Sequence, residues 1–191
     1  MEQAARRMNM LIDDLLAYSH VSKGALQLDT VDLNNKVQNV LEDLDLEIQE
    51  KKATIIVDDL PVITGHKRQM QQLFQNLIGN ALKYSKPGIP PEIHIYATLV
   101  RGYETERSLN GDEAQKQYHL IVVEDNGIGF EQQDAERIFN VFTRLHGNSE
   151  YRGTGVGLSI ARKVIENHQG YIWAESEPAK GATFKLLLPV T

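Results

Sequence analysis

The chain has 191 residues, 41% of them hydrophobic, a formal net charge of -6 and no cysteine. That length serves one ordinary domain with an attachment or two small ones, and the acidic balance argues against general nucleic-acid binding, which needs a basic footprint. Lack of cysteine excludes a disulfide scaffold and a cysteine zinc site. That lack also fits a cytoplasmic location. No apolar run approaches the roughly 18 residues that cross a bilayer, and the first seven residues lack the core of a secretory signal. These residues are therefore expected to be cytoplasmic whether or not a longer parent protein is membrane-anchored.

Met8, Leu11, Ile12 and Leu15 form the apolar stripe of a first helix, widened by Leu16 and Tyr18 and stopped near Gly24. Such a seam cannot be buried by the helix alone; it packs on its own domain or on a partner. Asp32 predicts the cap of a second helix through about Glu50, with Val37, Val40, Leu41, Leu44 and Ile48 inward. Short strands are expected at Thr54–Val57 and Val62–Thr64, on either side of Asp58-Asp59-Leu60-Pro61. A third helix spans about Lys67 to Tyr84 and stops at Lys86-Pro87-Gly88-Ile89-Pro90-Pro91.

Strands follow at Glu92–Val100 and Gln117–Glu124, joined by a polar segment, Arg101–Lys116, that reads as a solvated hairpin excursion. A short helix is expected near Ala135–Arg144, another from about Gly157 to Asn167, and two closing strands at Tyr171–Glu175 and Thr183–Leu188. Strands and helices that do not alternate regularly predict an α+β fold. The expected form is a two-layer sandwich, a mixed sheet with helices on one face, preceded by the N-terminal helix.

Three stretches carry candidate chemistry. On the third helix Gln72, Asn76, Asn80 and Lys83 form a polar stripe beside the apolar face of Met70, Leu73, Phe74, Leu77, Ile78 and Ala81. Asparagine is a weak helix former, so two on one face are either a solvated surface or a site where an amide oxygen meets Mg²⁺ and a lysine meets phosphate. The buried strand from Tyr118 ends in Glu124-Asp125-Asn126-Gly127-Ile128-Gly129. Asp125 there serves either plain turn chemistry or the recognition of adenine's amino hydrogens. Gly153-Thr154-Gly155-Val156-Gly157-Leu158 leads straight into a helix, the arrangement that turns backbone N–H groups toward phosphate. The preceding His146–Arg152 is polar and strandless, which disfavours a Rossmann site and reads as a lid.

Taken in order, these motifs resemble sensor histidine kinases. Phe74 to Ser85 is similar to their N box, Asp125 to Gly129 to the first glycine box, Ile138 to Arg144 to the F box, and Gly153 to Leu158 to the second glycine box. Gly181 to Pro189 is similar to the closing strand, so the likeness runs from about Asp32 to the end. The resemblance implies ATP with Mg²⁺: Asn80 as metal ligand, Asn76 near the phosphates, Lys83 on phosphate and Tyr84 on the sugar-base side. It implies Asp125 on adenine with Thr183 assisting through water, and Gly127, Ile128 and Gly129 as pocket wall. Gly153, Thr154, Gly155, Val156, Gly157 and Leu158 would form the phosphate loop, with Arg144 or Arg152 reaching the γ-phosphate.

Residues 1–27 resemble the second half of the family's dimerisation hairpin, and 28–191 its catalytic domain. The family's histidine box is missing: none of the six histidines has the expected acidic neighbour and proline, which places the acceptor before Met1. The implied partners are the protein's own dimerisation domain, a second protomer and a response-regulator receiver domain, with no membrane contact by these residues. His66 stands where relatives carry an acid, which bears on how the third helix is capped. Rival readings are a serine kinase of the anti-sigma-factor type, a nucleotide-dependent docking module, and a hydrolysing ATPase of the gyrase or Hsp90 type. The last places a glutamate base where Asn76 stands.

Overall fold

The computed structural model describes residues 2–23, 27–107, 109–145 and 153–190. Helix α1 (Glu2–Lys23) is followed by strand β1 (Asp29–Asp32) and helix α2 (Leu33–Asp43). The Asp32 carboxylate accepts from the Asn34 backbone N–H at 2.9 Å, the cap expected at that residue. The single helix expected from Asp32 to about Glu50 is instead two. The chain breaks at Leu44, and α3 (Asp45–Lys51) begins with Asp45 and Glu47 in its first turn, where exposed amides favour carboxylates. Val37 and Val40 are buried, while Leu41, Leu44 and Ile48 pack partly against the same core.

Strands β2 (Thr54–Val57) and β3 (Val62–Gly65) enter different sheets. β3 pairs antiparallel with β1, Asp32 opposite Val62; β2 runs parallel to β4 (Glu92–Arg101). Strand β1 was illegible in the sequence, because four residues with only Val31 buried give no alternation to read. The link between them is fastened by Asn34. Its amide donates to the Leu60 carbonyl at 2.7 Å and accepts from the Leu60 N–H at 2.9 Å, doing for a buried residue what a strand partner does elsewhere.

Helix α4 (Lys67–Lys83) keeps its expected limits. Its N-cap is His66, whose Nδ1 accepts from the Gln69 N–H at 3.3 Å, so an imidazole does the work of an acidic cap. The His66 N–H in turn donates to Nε2 of buried His168 at 3.0 Å, while Nδ1 of His168 faces the Val164 carbonyl at 2.7 Å. These partners require the neutral, Nδ1-protonated tautomer, and burial, the main cause, lowers the His168 pKa accordingly.

The main sheet is completed by β5 (Gln117–Asp125), β6 (Tyr171–Glu177) and β7 (Gly181–Pro189), in the order β2-β4-β5-β7-β6. All of its pairings except β2–β4 are antiparallel. One face supplies Ile93, Ile95, Ile121, Val123, Phe184 and Leu186 to a core shared with α2, α4 and α6 (Gly157–Asn167). The result is the expected α+β sandwich.

The polar excursion between β4 and β5 differs from the solvated loop the sequence suggested. It contains a 3-10 turn at Gly102–Glu104 and a short helix α5 (Asp112–Gln115), and it folds back over the sheet's other face. Glu106 meets Lys185 at 2.9 Å, Tyr171 donates to Glu113 at 2.6 Å, and the Arg107 guanidinium lies 5.1 Å from the Tyr171 ring centroid. The excursion is polar because its anchors are charges that pair with charges on the sheet, which a composition rule cannot distinguish from solvation.

The short helix expected near Ala135–Arg144 is replaced by 3-10 turns at Gln132–Asp134 and Arg137–Phe139. Ile138 and Phe139 are adjacent and both buried, and the Phe139 ring meets Phe184 edge-on at 6.3 Å. The tighter turn, closed by Asn140 N–H to the Arg137 carbonyl, admits both. At the other end of the chain, Val21 of α1 is buried and its carbonyl accepts from the Asn167 amide at 2.8 Å. The stripe of Met8, Leu11, Ile12 and Leu15 stays exposed.

Two substitutions separate the cap from the clamp. Asp32→Ala is expected to lower unfolding free energy by about 1 kcal/mol. Asn34→Ala, which orphans both backbone groups of buried Leu60, should cost more, about 1–3 kcal/mol. Urea unfolding of both variants checks this; equal losses would show that the side-chain clamp contributes nothing beyond the cap.

Candidate functional site

The expected residues converge where α4, the end of β5 and the start of α6 meet. Asn80, Tyr84, Asp125, Ile128, Gly129, Arg144 and Leu158 line one cavity of about 600 Å³, its open mouth included. It is largely apolar, with a few polar groups converging on it, the usual character of a small-molecule site.

Asp125 forms the polar end. Its Oδ1 accepts from the Gly127 N–H at 2.7 Å and from the Ala182 N–H at 3.3 Å, which fixes the carboxylate and leaves Oδ2 without either bond. Burial, opposed by those two bonds, pushes its pKa up from 3.8 to about 6. Gly127 is required by packing: a Cβ there would lie 2.6 Å from the Tyr84 carbonyl oxygen and 2.7 Å from Asp125 Oδ1. That close approach lets the Ile128 N–H bond the Tyr84 carbonyl at 2.9 Å and ties the strand end to the end of α4.

The polar stripe of α4 is not a solvated face. Asn76 and Asn80 are only partly exposed, and the Asn76 Nδ2 is buried with no hydrogen-bond partner among the described residues. Its Oδ1 sits 3.0 Å from where a Gly157 Cβ would stand. Lys83 lies against Gly153, and its Nζ bonds the Tyr84 hydroxyl at 3.0 Å. Gln72, the first member of the stripe, lies on an outer groove with Arg68, Gln71 and Gln75.

The phosphate-loop candidates Gly153, Thr154, Gly155, Val156 and Gly157 run along this side of α4. Gly155 has φ +78 and accepts from the Phe142 N–H at 3.0 Å, joining the loop to the turn that carries Thr143 and Arg144. Val156 is fully buried and faces the core, so only its backbone adjoins the site.

A candidate on the closing strand falls outside the cavity lining, and others fall outside the described residues. Thr183 does not line the cavity: it pairs with Glu124 and Glu175, and strand alternation gives the cavity positions to its neighbours Ala182 and Phe184. Arg152 and the lid reading of His146–Arg152 lie outside the described residues, whereas Arg144 lines the cavity. Sequence reasoning missed Phe130, Ile138, Thr143, Leu145, Ala182 and Phe184 as lining. The parity of the closing strand carried the signal for the last two, given the knowledge of which face is inside.

Comparison with known proteins agrees with this geometry. The family described as histidine kinase-, DNA gyrase B-, and HSP90-like ATPase matches residues 65–191. The chain belongs to this family. It is 41% identical over 183 residues to cyanobacterial phytochrome A of Nostoc sp., covering 96% of this chain and 22% of the relative. It is 32% identical over 188 residues to the adaptive-response sensory kinase SasA of Thermosynechococcus vestitus, covering 96% of this chain and 45% of that one. The chain thus spans less than half the length of these relatives.

Two solved structures share the fold. Full-length ShkA in complex with AMPPNP has a TM-score of 0.73 at 23% identity, covering 95% of this chain and 35% of that one. The nucleotide-free catalytic domain of histidine kinase ThkA has 0.65 at 22%, covering 85% and 95%. The chain carries an ATP-binding catalytic domain of the sensor histidine kinase type. Among the described residues no helix is long and apolar enough to cross a membrane.

Asp125 makes a pH test. The folded carboxyl keeps its proton to about pH 6 while the unfolded one loses it near 3.8. Ionisation therefore weakens the empty fold as pH rises through that window. Asp125→Asn, which keeps the Oδ1 acceptor, is expected to stabilise the empty protein at neutral pH by about 1–2 kcal/mol while weakening adenosine binding. Wild-type adenosine affinity should fall below about pH 6, where the carboxyl becomes a donor, and the variant should lose that dependence. Thermal unfolding and calorimetry across pH check both; a flat wild-type profile would remove Asp125 from base recognition.

Proposed function

We propose that these residues bind ATP with Mg²⁺ and present the γ-phosphate to a histidine that is not among the six of this chain, for relay to a response-regulator aspartate. The observation that carries the nucleotide reading is a fixed Asp125 on a cavity shared with Asn80 of α4, one turn from Asn76, whose buried amide has no partner among the described residues. A buried donor without an acceptor costs about 1–3 kcal/mol, a cost removed by a phosphate oxygen or a metal-bound water.

The donor set fits Mg²⁺ as well. Among the described residues no group of three acidic, histidine or cysteine side chains gathers as a metal cage. Mg²⁺ favours octahedral oxygen coordination and keeps several waters, so one amide oxygen beside substrate phosphates suffices. Asn80, the cavity's amide on α4, is the residue to hold it. Bound there, the ion would neutralise phosphate charge. The chain's own part is positioning: Asp125 reads the base, Lys83 and Arg144 offer positive charge, and the Gly153–Gly157 backbone approaches the phosphates at the start of α6.

None of the described histidines lines the cavity. His66 caps α4, His168 is held in the core and His94 pairs with Asp58 at 3.0 Å. His20 is exposed at the end of α1, without the acidic neighbour and proline that the family's acceptor carries. The exposed stripe of α1 is read as half of a dimerisation hairpin, completed by another helix of the longer protein and by a second protomer. Asn76 stands where the gyrase-type hydrolases carry a glutamate base, which favours transfer over that hydrolysis alternative.

Two experiments test this. Asn80→Ala should weaken Mg·ATP binding about tenfold or more while adenosine binding changes little; an unchanged Mg·ATP affinity in a folded variant removes the metal assignment. With radiolabelled ATP the chain should bind nucleotide and remain unlabelled. Acid-labile label lost on His20→Ala would overturn the reading that the acceptor lies elsewhere.

A further inference from the structure

Beside the nucleotide cavity, and sharing Ile128 with it, runs a second, wider groove. Lys51 and Lys52 line it from the end of α3, Lys83 and Lys86 from the end of α4, and the Pro87–Pro91 turn forms its far wall. Glu50 is the one acidic residue in the lining, so the groove carries three net positive charges on a chain whose net charge is -6.

Helix ends account for only part of this. Lys51 and Lys83 fall in last turns, where carbonyl ends favour cations. Lys52 is the C-cap of α3 and shares that position, whereas Lys86 lies beyond the end of α4. Elsewhere Lys67, Lys163, Lys180 and Lys185 each meet a carboxylate, while Lys36 and Lys116, singly placed, form no ion pair among the described residues. Among the described residues none of the four groove lysines forms an ion pair; Lys51 and Lys83 reach only the hydroxyls of Ser85 and Tyr84. Four lysines gathered around a single lining carboxylate leave an excess of positive charge that suits an acidic surface.

We propose that this groove docks an acidic surface of a partner protein, with Lys51, Lys52 and Lys86 as the contacting charges and Ile89 as the apolar anchor. Ile89 is 49% exposed on the rim, next to prolines whose fixed backbone reduces the ordering cost of docking. The open shape suits distributed carboxylates better than one small anion: the lysines come from separate elements, and no buried polar group converges on a single point. Lys86 also acts electrostatically on Asp125, favouring its ionised form, so an acidic partner seated on Lys86 communicates with the base-reading end of the cavity. That coupling alone rests on the nucleotide reading; docking itself does not.

The test is fluorescence anisotropy, without nucleotide, using a labelled peptide of about sixteen residues repeating Glu-Glu-Leu-Glu and a Lys-Lys-Leu-Lys counterpart. The acidic peptide should bind saturably and weaken with salt, and the basic one should not bind. Lys51→Glu with Lys52→Glu should reduce peptide affinity about tenfold or more and leave ATP affinity within about twofold, which also shows that the variant is folded. Lys86→Glu should reduce both peptide and adenosine binding. Absence of saturable binding, or binding unchanged in the double variant, overturns the proposal. So does inorganic tripolyphosphate binding that is lost in the double variant while the peptide fails to bind, since the groove would then be a small-anion site.

Discussion

Helix α4 is packed on two sides at once. Leu73, Phe74, Leu77, Ile78 and Leu82 are fully buried against the sheet and α6, while the next stripe around the helix brings Asn76 to the phosphate-loop candidate and Asn80 into the cavity. At about 100° per residue those two stripes are fixed relative to each other. The rotation of α4 that seals the core is therefore also the rotation that aims the amides. The hydrophobic contact holds the polar geometry in place, so that Asn76 can retain a buried amide without a partner among the described residues where a mobile helix would turn it to water.

The far end of the cavity rests on a similar double use. β5 delivers a fully apolar segment to the core and ends in Asp125, whose Oδ1 is bonded by the backbone of its own turn and of β7. Burying a carboxyl there raises its pKa to about 6, so that its ionised form weakens the empty fold.

The two ends of α6 face different parts of the molecule. Its first residues adjoin the candidate phosphate loop, while its last residue, Asn167, and its C-cap, His168, hold the end of α1 and the start of α4 through side-chain hydrogen bonds. The core and these few polar clamps account for the placement of every element around the site. Asn34 plays the same part for the small β1–β3 sheet.

Much of the fold and most of the site were legible in the sequence. The limits of α4 and α6, the strands of the main sheet and the Asp125 turn follow from periodicity, capping and glycine spacing, which are local properties. Ordered motifs placed Asn80, Tyr84, Asp125 and the glycine loop together because each is a short run whose chemistry is carried by adjacent residues. What needed the tertiary structure was everything decided by a partner distant in the chain. Which parity of β7 faces the cavity, and hence Ala182 in place of Thr183, depends on β5 beside it. Whether residues 101–116 are solvated or packed depends on Lys185 and Tyr171, some sixty to eighty positions on. The strand Asp29–Asp32 exists only because β3 is there to pair with it. Local pattern records what a segment is able to form; the contact that selects among those forms is made by residues far along the chain.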